Sequence, residues 1–124
     1  MISGQAALEQ AYCLLSKLFL DTEPTQQVID SMAYSLHELD ASSADLDRIV
    51  YYDLFPILYG NLLSISGIWS GFDEEWLLNQ IKNWKEQRRT WVKASYDYVM
   101  WIMFGWMVTS NLDKVKSRLE QIGR

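Results

Sequence analysis

The stretch YDYVMWIMFGWMV, Tyr96–Val108, decides the fold because its thirteen residues carry a single charge, Asp97. A helix that is apolar on every side lies in a protein core or in a membrane. A spanning helix needs about 20 apolar residues, and the uncharged run here ends at Val108 after eleven. We therefore predict that this stretch forms the central helix of a bundle. An exposed face for a partner and contact with a membrane surface are the alternatives.

Apolar residues recur with helical spacing throughout the rest of the chain. In the first segment they fall three, four, seven, ten and eleven residues after Leu8, which is the pattern of one helix face. No alternation typical of a strand persists for six residues. At 124 residues the chain has the length of one domain. We predict a single all-α domain over residues 1–124, a compact bundle of five to six helices around the Trp- and Met-rich central helix.

Polar residues mark the starts of two predicted helices. Ser42 or Ser43 is placed to cap one helix, with Asp45 in its first turn. Asp73 is placed to cap another, because its side chain can accept a hydrogen bond from an N–H of the first turn. Both helices should therefore begin at these positions.

Other residues mark breaks. Pro56 lacks an N–H and should kink or end the helix that contains it. A break between residues 89 and 95 should separate two helices, since a single helix of some thirty residues would be unusually long for a globular domain. The motif TSNLDK, residues 109–114, should cap a short final helix.

Charge is unevenly distributed along the chain, whose net charge is −5. Residues 1–80 contain twelve acidic and two basic side chains, a balance of −10, while residues 81–124 contain four acidic and nine basic ones, a balance of +5. An acidic surface repels phosphates, so we expect a basic protein partner and no nucleic acid. In the basic segment KNWKEQRRTWVK, residues 82–93, the Trp residues should pack inward while the Lys and Arg residues face water or offset the acidic part.

Catalytic and metal-binding patterns are absent from the sequence. The chain has one cysteine, Cys13, and one histidine, His37, whereas zinc sites need three or four such ligands and nucleophilic catalysis needs a positioned base. No phosphate-binding or hydrolase motif is present. We predict no enzymatic activity, no metal and no cofactor. A lone cysteine and the lack of a signal peptide predict a cytoplasmic protein.

Three segments carry a resemblance to a known family. They are LSKLFLDTE (residues 15–23), LDRIVYYDLFPIL (residues 46–58) and NLLSISGIWSGFDEEWL (residues 61–77). Together they resemble an uncharacterised family of small bacterial proteins, a domain of unknown function. The resemblance implies a bacterial, cytoplasmic helical domain and carries over no catalytic role.

Small size, acidity and the lack of catalytic motifs favour a non-enzymatic binding protein. The most concrete expectation is an immunity or inhibitor protein that neutralises a cognate bacterial toxin by occluding its active site, with a basic toxin domain as partner. An acidic face would steer this partner into place. The candidate partner-binding residues are Asp45, Asp47, Asp53, Asp73, Glu74 and Glu75.

Three alternatives stay open at this point. The first is a homo-oligomeric helical scaffold or adaptor in which the helix at residues 96–108 forms the subunit interface. The second is a small carboxylate-based enzyme that uses Asp53 and His37. The third is peripheral attachment to a membrane through residues 82–108, without a membrane-spanning segment.

Overall fold

Helices form all the regular secondary structure in the part of the chain that the computed structural model describes, residues 2–20, 23–63, 72–86 and 91–123 (backbone only at 60–63 and 92). A 3₁₀ turn, Lys17–Phe19, extends α1, and a π-helical segment, Ile49–Leu54, joins α3 to α4 in one rod. With that rod counted once, these ranges hold six helices, so the predicted all-α bundle of five to six helices is confirmed. The helices are α1, Gln5–Ser16; α2, Gln26–Glu38; α3, Ser43–Arg48; α4, Phe55–Leu63; α5, Glu74–Glu86; α6, Trp91–Phe104; and α7, Trp106–Ile122.

The core lies where α1, α2, the π segment and α7 pack together. The predicted stripe of α1 is buried, and Ala11, Leu15 and Phe19 have no exposed surface. Burial of one large apolar side chain contributes about 1.5–3 kcal/mol, so each buried stripe stabilises the fold by several kcal/mol. The buried stripe of α7 consists of Val108, Leu112, Val115 and Leu119.

Two predicted helix caps are confirmed. The Ser42 hydroxyl accepts a hydrogen bond from the Asp45 N–H, and Asp45 Oδ2 accepts one from the Ser42 N–H, each at 3.1 Å. This reciprocal pair satisfies two backbone donors that a helix start leaves free. At the start of α5, Asp73 Oδ1 accepts a hydrogen bond from the Trp76 N–H at 2.8 Å.

Pro56 changes the helical register instead of ending the helix. It lies in the first turn of α4, directly after the wider turns of the π segment. In an α-helix the Tyr52 carbonyl would pair with the N–H of residue 56, which proline lacks. The Trp84 indole Nε1 of α5 donates a hydrogen bond to this carbonyl at 3.1 Å. A side chain from another helix therefore satisfies the carbonyl that Pro56 cannot.

Gly105 marks the break between α6 and α7. The predicted start of the last helix at residues 109–114 is wrong, because α7 begins at Trp106 and runs through this motif without interruption. Gly105 approaches the preceding turn closely, and its N–H donates to the Trp101 carbonyl at 2.7 Å. A Cβ at this position would lie only 2.5 Å from the same oxygen. The residue is thus a glycine because of this close approach.

The stretch at residues 96–108 does not form the centre of the bundle, and this part of the prediction is wrong. One side of α6 packs inward, where Asp97 is 2% exposed and Met100 and Trp101 contact the core. The opposite side faces solvent, with exposures between 50% at Val99 and 79% at Trp91. No described helix is long and apolar enough to cross a bilayer. We call the exposed side of α6, together with the first residue of α7, the α6 face; it consists of Trp91, Tyr98, Val99, Ile102, Met103 and Trp106.

The basic segment at residues 82–93 is divided between α5 and α6, and residues 87–90 lie outside the described part. Residues 91–95 are helical, so the predicted break does not lie among them, and residues 89–90, the rest of its predicted range, lie outside the described part. Lys82, Lys85 and Lys93 are exposed, as predicted. Trp84 is half-buried and hydrogen-bonded, but Trp91 faces solvent, so the inward orientation predicted for both Trp residues holds for Trp84 alone.

Candidate functional site

Ion pairs between α7 and earlier helices neutralise part of the predicted acidic surface. Lys116 Nζ lies 2.9 Å from Asp47 Oδ1, and Arg118 Nε lies 3.1 Å from Asp30 Oδ1. Lys114 pairs with Glu23 at 3.6 Å. Exposed pairs of this kind contribute little stability, about 0–1 kcal/mol each. Their main consequence here is that Asp47 is paired within the chain.

Asp45 belongs to the interior and not to a partner-facing surface. The residue is 3% exposed and accepts hydrogen bonds from the Ser42 and Ile2 N–H groups. Arg48 Nη2 donates to its other carboxylate oxygen at 3.0 Å. Burial acts to raise the pKa of Asp45, but these hydrogen bonds and the Arg48 charge outweigh it and lower the pKa. Asp45 therefore fixes the start of α3, and its predicted place on an acidic face is corrected.

Asp53 joins a network that links α1, the π segment and α5. Tyr12 donates a hydrogen bond to Asp53 Oδ2 at 2.8 Å, Lys85 Nζ donates to the Tyr12 oxygen, and Lys85 lies 3.6 Å from Asp53. Burial, followed by the bond to Asp53, raises the pKa of Tyr12. The phenol thus stays protonated at neutral pH, which suits a structural bond better than acid–base catalysis. His37 is exposed on α2 and is not among the described partners of this network.

The other three predicted residues come together at the start of α5, beside a cleft of about 450 Å³. Glu74 stands on the rim of this cleft together with Glu9 of α1, and neither carboxylate forms an ion pair within the described residues. Asp73 and Glu75 flank Glu74 and are exposed. We call it the α1–α5 cleft; its lining is Ala6, Glu9, Gln10, Cys13, Leu14, Ser35, Glu74 and Leu78.

Two carboxylates and no basic side chain line the α1–α5 cleft, so the charge around the Cys13 thiol is mainly negative. Burial raises the pKa of Cys13, the nearby Glu74 and Glu9 carboxylates raise it further, and Lys17 offsets them in part. The thiolate is the reactive form of cysteine, so this thiol is a poor nucleophile. The arrangement is instead suited to a cationic group, with two carboxylates on the rim and Leu14 and Leu78 in the wall.

A family model described as a domain of unknown function, DUF7079, matches residues 6–118. The chain belongs to this family. The expected membership of an uncharacterised family is confirmed, and the matched range extends beyond the segments that carried the resemblance. All residues that line the α1–α5 cleft lie within it. No curated protein and no solved structure matches the sequence.

A second cavity of the DUF7079 domain, about 600 Å³, lies between the π segment and the start of α7. Its wall contains a ring cluster in which the Tyr51 centroid lies 4.7 Å from that of Tyr52 and 5.1 Å from that of Trp101. Asp47 and Asp113 line the cavity together with the basic Arg48, and Lys116 already pairs with Asp47. This cavity therefore has room for an apolar group and a weaker attraction for a cation than the α1–α5 cleft.

Sequence reasoning missed Glu9 as a functional candidate in the DUF7079 domain. Glu9 and Cys13 are four residues apart on α1, so their positions on one helix face can be read from the sequence. Their approach to Glu74 depends on the packing of α5 against α1, which local patterns do not specify. Among the described residues, no three His, Cys, Asp or Glu side chains are grouped so that they could hold a metal ion.

Proposed function

We propose that this DUF7079 domain is a non-enzymatic protein-binding domain, an immunity or inhibitor protein that neutralises a basic bacterial toxin domain by covering its active site. The observation that carries the proposal is the α1–α5 cleft. It presents two carboxylates without an ion pair among the described residues, an apolar wall and no basic side chain in its lining.

A lysine or arginine of the partner fits this chemistry. Such side chains lay their aliphatic stem along apolar surface and keep the charged head in a polar site. In the cleft, the stem would contact Leu14 and Leu78 while the head reaches Glu9 and Glu74. Hydrogen bonds between charged groups are about twice as strong as those between neutral groups. The cleft would thus hold one basic anchor of the partner.

The first turn of α5 supplies the remaining elements of a binding surface. Asp73 and Glu75 add negative charge next to the cleft, which would accelerate the approach of a basic partner. Trp76 lies in the same turn, is exposed and stacks on Phe72 with a centroid distance of 6.3 Å. Tryptophan is enriched among the residues that dominate binding energy. We therefore assign Trp76 as the apolar anchor beside the acidic cleft.

The proposal places the protein in the cytoplasm of the toxin-producing cell, where it would protect that cell from its own toxin. A free, half-buried Cys13 is compatible with a reducing compartment. Inhibition would follow from steric coverage of the toxin's active site and would need no chemistry from the DUF7079 domain.

Binding to the product of the neighbouring gene tests the proposal. We expect a stable complex in a pull-down and rescue of toxin-treated cells by expression of the DUF7079 domain. In the double variant Glu9→Gln/Glu74→Gln, the association rate should fall about tenfold at low ionic strength and less at high salt, because charge steering is screened.

Glu120→Gln is the matched control. It removes one exposed carboxylate of α7 that has no described ion pair and lies outside the cleft, so the association rate should stay within twofold of the original. Absence of a complex together with absence of rescue would refute the immunity proposal. A complex whose association rate is unchanged in Glu9→Gln/Glu74→Gln would refute the role of the cleft.

A further inference from the structure

The α6 face is an exposed apolar feature of the described residues that the proposed function leaves unused. Its six side chains include Ile102 at 62% and Trp106 at 67% exposure. Within α6 the charged residues are Lys93 and Asp97, and neither belongs to this face. Lys93 Nζ lies 3.9 Å from Asp97 Oδ1, and Asp97 is buried. The face therefore presents six large apolar or aromatic side chains and no charged residue.

The area of the α6 face corresponds to one side of a protein interface. If each of the six side chains buried the 150–250 Å² typical of an aromatic residue, their exposed fractions would amount to roughly 600–900 Å². The largest apolar patch on a typical monomer covers about 300–600 Å². Stable interfaces bury about 800 Å² per partner. The face thus exceeds what a monomer ordinarily exposes and equals what a stable dimer needs.

The spacing along α6 is that of a helix–helix seam. Trp91, Ser95, Tyr98 and Ile102 follow one another at intervals of four, three and four residues, the a/d spacing of helices that pack as knobs into holes. Ser95 is small and exposed, so a facing helix can approach closely at this point. The indole Nε1 of Trp106 donates to the Met103 carbonyl at 3.1 Å, which leaves its exposed ring purely apolar.

We infer that the α6 face is a homodimer interface in which α6 packs against α6 of a second copy around a two-fold axis. In a two-fold interface each patch meets itself, so any charge on the patch would face its own copy. An uncharged face avoids this repulsion. Lipid surfaces instead select apolar helix faces whose opposite side is rich in basic residues, whereas α6 carries one lysine, Lys93, which lies 3.9 Å from the Asp97 carboxylate. The inference is independent of the immunity proposal.

Sedimentation equilibrium and light scattering test the inference over a range of about 1–200 µM protein. The full chain should reach twice its monomer mass of 14.5 kDa. Ile102→Glu places a charge at the centre of the face and should return the protein to monomer mass, with at least a hundredfold weaker self-association. Val28→Glu is the matched control, because Val28 is an exposed β-branched residue on α2, outside the face; this variant should remain a dimer.

Crosslinking provides a second measurement that does not depend on the Ile102 variant. With Cys13 replaced by Ser, a cysteine introduced as Val99→Cys should form a disulfide-linked dimer under mild oxidation, while Val28→Cys should not. A wild-type chain of 14.5 kDa at every concentration would overturn the inference. So would a monomer that binds vesicles of phosphatidylcholine and phosphatidylglycerol through this face, with binding lost in Ile102→Glu.

Discussion

Replacing Gly105 by Ala should destabilise the protein, although the same change inside a helix usually stabilises it by about 0.5–1 kcal/mol. The backbone φ of Gly105 is −59°, which alanine adopts without strain. The loss of stability would come from steric clashes, because the new Cβ would lie 2.5 Å from the Trp101 carbonyl oxygen and 2.9 Å from Trp101 Cδ2. Comfortable contacts between carbon atoms are about 3.5–4.0 Å, so the neighbouring atoms would have to move by about 1 Å.

Trp101 is poorly placed to make that movement. Its ring centroid lies 5.1 Å from Tyr51 and 5.0 Å from Phe55, in edge-to-face contacts with both. Overpacking of a well-packed site costs about 1–3 kcal/mol. After subtraction of the helix-propensity gain, Gly105→Ala should lower the free energy of unfolding by about 1–2 kcal/mol. The melting temperature should fall by about 4–8 °C for a domain of this size.

Urea unfolding at one fixed protein concentration, followed by circular dichroism and tryptophan fluorescence, measures this change. Gly123→Ala is the matched control, since its Cβ would lie 3.6 Å from the Leu119 carbonyl oxygen, an ordinary contact. The control should be neutral or slightly stabilising. If Gly105→Ala proves as stable as the original protein, the close approach between Gly105 and Trp101 does not constrain this junction, and the reasoning fails.

Two further predictions concern ionisable groups. Asp45→Ala should lower the free energy of unfolding by about 2 kcal/mol, because it removes a capping box and leaves backbone donors unsatisfied. Asp47→Ala loses one exposed ion pair and should lower it by less than about 1 kcal/mol. Urea unfolding of the two variants measures the difference. The pKa of Asp45 is lower in the folded state than in the unfolded state. The stability that the Asp45 carboxylate contributes should therefore be complete above the unfolded-state pKa and disappear as the pH falls through the folded-state pKa. An Asp45→Ala penalty that stays constant down to pH 2 would contradict this. Burial, a hydrogen bond with Tyr96 and the nearby Asp97 charge raise the pKa of Tyr59 to about 12, so stability should decline as the pH rises from about 10 to 12. Tyr59→Phe should make this decline shallower in alkaline unfolding experiments, and an unchanged slope would argue against the assignment.

Local patterns predicted the helices and their caps because the interacting groups are close in sequence. The Ser42–Asp45 capping box spans three residues, and the stripe of α1 repeats within a few turns. Pro56 marked the correct place for an irregularity, since its missing N–H is a property of the residue itself. The form of the irregularity depends on Trp84, which is 32 residues away, and was therefore not predictable from the segment.

The position of α6 shows what hydrophobicity alone cannot decide. Several segments are apolar enough to be buried, and the sequence does not say which of them occupies the centre. The aliphatic stripe from Val108 to Leu119 packs into the core, while the aromatic and Met-rich side of α6 remains outside. The α1–α5 cleft was unpredictable for a similar reason, because Glu9 and Glu74 are distant in sequence and meet only through tertiary packing.

The Trp84 indole donates a hydrogen bond to the Tyr52 carbonyl, so position 84 performs the role that a backbone N–H at position 56 would have in a regular α-helix. In a regular α-helix an amide hydrogen at position 56 would provide the proton that this carbonyl requires, and here the indole at position 84 provides it. A variant with alanine in place of Pro56 should consequently tolerate loss of the indole better than the original chain does. Relatives that lack a proline at position 56 would not need a tryptophan at position 84, and the residues at these two positions would then vary together.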